Sequence, residues 1–412
     1  MFISYFTEQP YSAFRDETSL ASFDGDHPLR RPSDNNLIFS NRFFDPAIGS
    51  RLYNERIEEH QFAEEVGFDG ITFNEHHNAV YCMQPRCNVM AAVLAARTSR
   101  VKIVQLGNPL PTWENPVQLA EETAMLDMIS KGRMVPGIVR GGGVEQLANN
   151  VNPAFNRERF REAHDLIIKT WTEPGPFRWE GDHYNLRIVN PWALPLQQPH
   201  PPIWMPGIAS NETIAFAAEH GYPYICMNTT FEATKRIWRY YDGVAAENGF
   251  TAGPSYRGYL MRCVVAGTER KAIDNARQFM WMRGQFTGLG HPVWSAPAGY
   301  SSRATKAIRA EYQAHSTSFE DQLDAGTIIA GTPGQVIGKI RRWLEETRPG
   351  ILILWGSDGR TTHEDTLDCI RLLGQEVLPA VRDIARELQL HDPFELNQPV
   401  SLAAARRSAA AA

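Results

Sequence analysis

The feature that most constrains this chain is an alternation of short apolar runs with helical segments, seen most clearly between Tyr53 and His77. Ile57, Phe62 and Val66 recur at helical spacing among Glu and His, and Gly67 closes that segment. FDGITF then runs as a strand into Asn74, Glu75, His76 and His77. A helix, a glycine and a strand that ends in proton-handling side chains make one unit of a β/α repeat.

The same reading places further strands at Phe2–Phe6, Val101–Leu106, Arg133–Val139, Ile203–Pro206, Tyr224–Met227, Tyr259–Val265 and Ile351–Trp355. Helical segments separate them, among them Gln84–Thr98, Asn115–Ser130, Phe155–Trp171, Ser210–Glu219, Phe231–Asn248 and Glu269–Arg283. A final helix is expected over Thr361–Leu388. Asn115–Ser130 has the firmest ends: Pro116 in the first turn and Lys131-Gly132 as the stop. Eight strands alternating with helices imply a parallel sheet, and at that count a closed α/β structure, a single (β/α)8 TIM-type barrel, is favoured over a doubly wound sheet.

The 412 residues fit that fold as one domain, expected over residues 1–390, with insertions at about 7–45 and 284–324 at the C-terminal rim. Residues 391–412, ending in SLAAARRSAAAA, read as a loose tail. A net charge of −6 without a basic block argues against nucleic acid. Five scattered cysteines, Cys82, Cys87, Cys226, Cys263 and Cys369, are not a disulfide framework and fit a reducing compartment. The start lacks the basic lead and apolar run of a signal peptide, and no stretch is long enough to span a bilayer, so a cytoplasmic location with no membrane partner is expected.

In such a barrel the chemistry gathers at the C-terminal ends of the strands. Those positions are Glu75, His76 and His77; Gly107 and Asn108; Arg140 to Gly143; Gly207 to Thr213; Asn228; and Gly356 to Asp358. Metal ligation is disfavoured, because adjacent histidines on a strand point to opposite sides and the partner residues on later strands are missing. No G-x-S-x-G elbow and no G-x-G-x-x-G after a strand is present, and GTPGQVIGK near Gly331 misses the P-loop spacing. His76 reads as a functional group, whereas His77 serves equally well as a strand-end cap. Gly207-Ile208-Ala209-Ser210-Asn211-Glu212-Thr213 enters a helix, where free N–H groups, two hydroxyls and the helix dipole suit a phosphate, with Arg140 as countercharge. The alternative is that Ser210 is only an N-cap.

FDGITFNEHH, the LDMISKGRMVPGIVRGG run from Leu126 to Gly142, PPIWMPGIASNETIAFAAEHG from Pro201 to Gly221, and AGTPGQV from Ala330 to Val336 occur in an order that resembles the bacterial luciferase-like family of flavin-dependent monooxygenases. The resemblance runs from Met1 to about Arg382, apart from the Thr7–Asp45 loop. It implies a TIM-type barrel binding FMN, or in a sister branch the deazaflavin F420. His76 would steer a flavin C4a-hydroperoxide, with Glu75 beside it as the second catalytic residue. Leu106 and Gly107 would lie under the flavin ring, at a place where relatives often carry a non-proline cis peptide. Arg140, Gly141, Ser210, Asn211 and Thr213 would hold the phosphate; the acidic residue that some luciferases have just before the serine is Ala209 here. The activity implied is insertion of one oxygen atom of O2 into a small organic substrate, with reduced FMN supplied by a separate NAD(P)H:flavin reductase. An F420-dependent dehydrogenase or reductase and a non-catalytic flavin-binding protein are the alternatives. Trp113, Met205, Trp294 and Trp355 are candidates to line a dry pocket, and a homodimer is usual for the family.

Overall fold

The computed structural model describes residues 1–14, 41–279, 318–356 and 358–411. Most of both expected insertions, and Trp294, lie outside the described residues. The strands are β1 (Phe2–Phe6), β2 (Gly70–Phe73), β3 (Lys102–Gln105), β4 (Met134–Val135), β5 (Met205–Gly207), β6 (Tyr224–Met227), β7 (Arg257–Val265) and β8 (Ile351–Trp355). They pair in the order β4-β3-β2-β1-β8-β7-β6-β5, all parallel. A parallel bridge between Gly137 and Trp204 joins the two ends of that path and closes the barrel.

Helices α1 (Pro46–Glu65), α2 (Cys87–Arg97), α3 (Pro116–Ile129), α4 (Asn156–Thr172), α5 (Asn211–His220), α6 (Phe231–Glu247), α7 (Glu269–Phe279) and α8 (Pro333–Thr347) form the outer layer. Their ends follow local chemistry. Asn115 accepts from the Val117 N–H to cap α3, with Pro116 as first residue. Thr332 and Gln335 form a reciprocal capping box at α8. Gly221, at φ 69°, ends α5 in the left-handed conformation that glycine adopts without a Cβ penalty.

β1 and β8 are buried at every position, as strands covered on both faces must be. Alternation divides their side chains between two cores. Phe2, Phe6, Val104, Trp204, Leu260 and Trp355 belong to one that fills the barrel. Ile3, Tyr5, Ile71, Ile103, Leu352 and Leu354 belong to the larger one between barrel and helices.

Three elements differ from expectation. An antiparallel hairpin, Phe177–Glu180 with Asn185–Val189, follows α4. Ile328–Gly331 forms a further parallel strand against the end of β7, and its AGTPGQV continuation opens α8. Within residues 391–412, expected to be a loose tail, Leu402–Ala411 form a helix, with Leu402 against Gly221 and the Ser401 hydroxyl 3.2 Å from His200 Nε2. Alanine has the highest helix propensity, which the low complexity of that segment concealed.

Candidate active site

A cavity of about 260 Å³ opens where the strands end, as barrel enzymes place their sites. Its wall includes Glu8 after β1, Glu75 and His76 after β2, Leu106 and Gly107 after β3, Arg140 to Gly142 after β4, Ser210 and Thr213 beyond β5, and Trp355 at the end of β8. One side is a carboxylate–imidazole cluster and the other an anion cradle.

In the cluster, His76 Nδ1 lies 2.8 Å from Glu145 Oε1, and His76 Nε2 lies 3.7 Å from Glu8 Oε2. The Tyr81 ring meets the His76 ring edge-on at 5.1 Å. Glu145 also accepts from the His77 backbone N–H at 2.8 Å, so one carboxylate fixes both the ring and the chain that carries it. Glu8 Oε2 accepts from Asn74 Nδ2 at 2.6 Å, and its backbone N–H donates to Asp358 Oδ2 at 2.7 Å. That Asp358 oxygen also takes the Trp355 indole N–H at 2.7 Å.

Burial works against charge on His76, but its bond to Glu145 and the charges of Glu145, Glu8 and Glu75 outweigh it and raise its pKa to about 9. The ring is therefore an imidazolium at neutral pH. Burial raises Glu8 to about 7, with the His76 charge opposing the rise. A carboxyl group poised near neutrality beside an imidazolium can exchange a proton with its surroundings at working pH. Glu75 is committed otherwise. It accepts from Arg86 at 2.9 Å and from the Cys87 N–H at 3.0 Å, and it lies 3.2 Å from His77 Nε2. These contacts tie Glu75 to the loop after β2 and to the start of α2, and tie the His77 ring to Glu75.

On the cradle side, Arg140 Nη1 donates to Asn156 Oδ1 at 3.1 Å and Nη2 to Ser210 Oγ at 3.4 Å. The Ser210 hydroxyl does not cap α5; it donates to Glu212 Oε2 at 2.9 Å, and Glu212 is itself paired with Arg157 at 3.1 Å. The first turn of α5 thus faces the cavity wall at Ser210 and Thr213. Asn211 opens the helix but is not part of that wall. Gly141, at φ 73°, would bring a Cβ to 3.0 Å from Pro109, whereas a Cβ on Gly142 would meet nothing within 4 Å, which leaves open space for a ligand above the backbone.

The Leu106–Gly107 peptide is cis, in the position the resemblance implied. A Cβ at Gly107 would lie 2.6 Å from the Gly137 carbonyl oxygen, so the two backbones meet there as only glycine allows. Of the proposed pocket-lining residues that are described, Trp355 lines the cavity. Trp113 is buried under the Arg86 guanidinium at 4.8 Å, and Met205 is fully buried in the core.

Glu8, Tyr81 and Glu145 were not found from sequence. Glu8 lies two residues past β1, in the rim position searched after the other strands. Glu145 sits in the short helix Gly143–Ala148, two residues after the glycine run. An acid just beyond a strand end or a glycine run was the available signal for both.

A closed parallel barrel thus carries, at one rim, Arg140, Ser210 and the first turn of α5 facing an imidazole–carboxylate cluster across a single cavity. A profile described as luciferase-like monooxygenase matches residues 37–349, and the chain belongs to that family. It is 31% identical over 188 residues to the flavin-dependent trigonelline monooxygenase, oxygenase component, of Acinetobacter baylyi. That match covers 45% of this chain and spans about half the length of the relative, 51%. Among solved structures, the oxygenating constituent of 3,6-diketocamphane monooxygenase from Pseudomonas putida, in complex with FMN, superposes with TM-score 0.65 at 22% identity, covering 86% of this chain and 96% of that one. An F420-dependent secondary alcohol dehydrogenase in complex with an F420-acetone adduct superposes with TM-score 0.64 at 18% identity, covering 93% and 99%. At these identities the two structures speak to the fold.

The two acids flanking His76 carry a testable consequence. With Glu145→Gln, burial of the imidazole loses its main counterweight, and the His76 pKa should fall from about 9 toward or below the ordinary value of about 6.5. With Glu8→Gln a smaller fall is expected. NMR titration of the His76 ring in the cofactor-free protein reads both, and an unchanged His76 in Glu145→Gln would refute the arrangement.

Proposed function

We propose that the protein is the oxygenase component of a two-component flavin-dependent monooxygenase, taking reduced FMN and O2 and inserting one oxygen atom into a small organic substrate. The observation that carries this reading is the placement of His76, held by Glu145, across one cavity from Arg140, Ser210 and the first turn of α5. It is supported by family membership and by a relative named as an oxygenase component.

Arg140, the Ser210 and Thr213 hydroxyls and the N-terminal dipole of α5 would hold the FMN phosphate. Leu106 and Gly107 would support the ring system. When bound, reduced FMN supplies the electrons that activate O2. This chain's own residues do the rest. His76, charged and oriented by Glu145, presents Nε2 to the cavity as a proton donor and hydrogen-bond donor to oxygen. Glu8 returns or accepts that proton. Phe6, Leu106, Val139, Met227, Leu260 and Trp355 give an apolar wall that keeps water from the reacting atoms.

The test is to titrate the protein anaerobically with reduced FMN and, separately, with reduced F420, then admit oxygen. Binding of reduced FMN followed by O2 consumption supports the proposal, as does turnover that requires a separate reductase and fails with NADH alone. The second reading, F420-dependent hydride transfer, is favoured by the acid on either side of His76 and by the F420-bound neighbour in fold. Tight binding of reduced F420 with turnover indifferent to air would establish it instead.

A homodimer is part of the proposal. Val89 on α2 is 67% exposed, and Met125 and Ile129 on α3 are 51% and 53% exposed, an apolar surface on neighbouring helices that a second copy would cover. Light scattering on the wild type should give twice the chain mass, and Ile129→Glu should shift it toward the monomer. A monomeric wild type would remove this part. No described helix is long and apolar enough to cross a membrane.

A further inference from the structure

At the opposite end of α5 from the anion cradle, three side chains meet outside the barrel. His164 and Asp165 come from α4, and His220 is the last residue of α5. One ring nitrogen of each histidine and an Asp165 carboxylate oxygen lie within 4.8 Å of one another. We propose that these residues form a binding site for a zinc-class divalent transition-metal ion that clamps α4 to α5.

The hydrogen bonds around the cluster decide which atoms face the ion. His220 Nδ1 lies 2.9 Å from the Phe216 carbonyl oxygen, which can only accept, so Nδ1 carries the hydrogen and Nε2 keeps the lone pair. His220 stacks on the ring of Phe216, at 4.1 Å, and on that of Tyr222, at 5.5 Å, which orients its plane. His164 Nε2 lies 3.0 Å from the Tyr222 hydroxyl, and its Nδ1 lies 2.9 Å from Asp165 Oδ1. On ligation Nδ1 turns its lone pair to the ion, the ring hydrogen resides on Nε2, and the Tyr222 oxygen accepts it.

Two imidazoles and one carboxylate, with a carbonyl and a hydroxyl behind the imidazoles, are the donor set and outer shell that suit Zn²⁺ and its neighbours in the series. Zinc bonds of about 2.0–2.2 Å place tetrahedral ligands about 3.4 Å apart, so the His164 Nδ1–Asp165 Oδ1 pair, at 2.9 Å, must open slightly while separations of up to 4.8 Å within the cluster close. Asp165, with 62% of its side chain exposed, is free to make that movement and gives the ion a route in. Because the clamp grips the last residue of the helix whose first turn forms the cradle, a bound ion would steady that turn from the far end.

The test uses the whole chain, stripped of metal by chelator dialysis and titrated calorimetrically with Zn²⁺ alone. One ion per chain is expected, with a rise of several degrees in melting temperature at excess Zn²⁺. Asp165→Asn alters an exposed side chain, and Tyr222→Phe keeps the ring packing while removing the hydroxyl. Each should weaken binding at least about tenfold, and His220→Gln should abolish it. Absence of binding below millimolar Zn²⁺ would overturn the proposal. So would equal stoichiometry and affinity in the wild type, Asp165→Asn and Tyr222→Phe, which would put the ion elsewhere. Neither result depends on whether flavin binds.

Discussion

Replacing His76 by alanine is expected to lower product formation by about 10²–10⁴-fold while oxidation of reduced flavin by O2 continues, its oxygen appearing as hydrogen peroxide. The reason lies in where the charge is held. Nε2 of His76 is the ring atom facing Glu8 and the cavity, and Nδ1 is tied to Glu145 at 2.8 Å. Removing the ring takes away the positioned donor and the charge that opposes the effect of burial on Glu8, so the Glu8 carboxyl resists ionising further. The measurement is the ratio of product to peroxide per reduced flavin oxidised, wild type against variant, at fixed flavin and substrate. His76→Asn tests geometry against charge, since its amide can donate a hydrogen bond but cannot carry a proton. Retention of coupled product formation in both variants would remove His76 from the chemistry and leave it a structural residue.

The pH dependence follows from the same groups. The imidazolium persists up to about pH 9 and is lost above it, whereas Glu8 gains charge as pH rises through about 7. His76 has a folded-state pKa above its unfolded value of about 6.5, so its contribution to stability is fully present below about pH 6.5 and disappears as pH rises through about 9. Glu8 prefers its neutral form in the folded chain, so its relative contribution is present below about pH 4.5 and declines as pH rises through about 7.

Much of this architecture is legible in the sequence because a buried parallel strand has no polar face to obscure it. Ile351–Trp355 reads as a continuous apolar run and Phe2–Phe6 as one interrupted only by Ser4, and both are buried throughout. The strand Ile328–Gly331 escaped because its run is short and flows into a capping sequence that reads as a turn. At the site, residues within two or three positions of a strand end, such as His76 and Gly107, are accessible to a rim argument. Partners that arrive from another element are not: Glu145 meets His76 across 69 positions of sequence, and nothing local in either segment reports the pairing. Asn211 shows the converse limit. It lies inside the motif between Ser210 and Thr213, which line the cavity wall while it does not.

The second large effect is expected at Arg140. Arg140→Ala should weaken binding of reduced FMN by about 2–4 kcal/mol, roughly 30- to 1,000-fold, and leave riboflavin, which lacks the phosphate, bound about as before. Arg140 is prepared for this role. Asn156, fully buried at the start of α4, takes one guanidinium nitrogen, and Ser210 takes the other. Gln146 donates to the Arg140 carbonyl oxygen at 3.1 Å, fixing the backbone as well. An arginine ordered before its ligand arrives loses little side-chain entropy on binding. Arg140→Lys should recover only part of the loss, because an ammonium cannot keep both side-chain partners and also present a planar fork to the phosphate. Ser210→Ala should cost less, since it removes a neutral hydroxyl and leaves the helix dipole in place. The measurement is an anaerobic fluorescence titration with reduced FMN and with reduced riboflavin for each variant. Equal weakening for both flavins would show that Arg140 supports the fold of the rim rather than the phosphate, and the anion cradle would then have to be sought elsewhere.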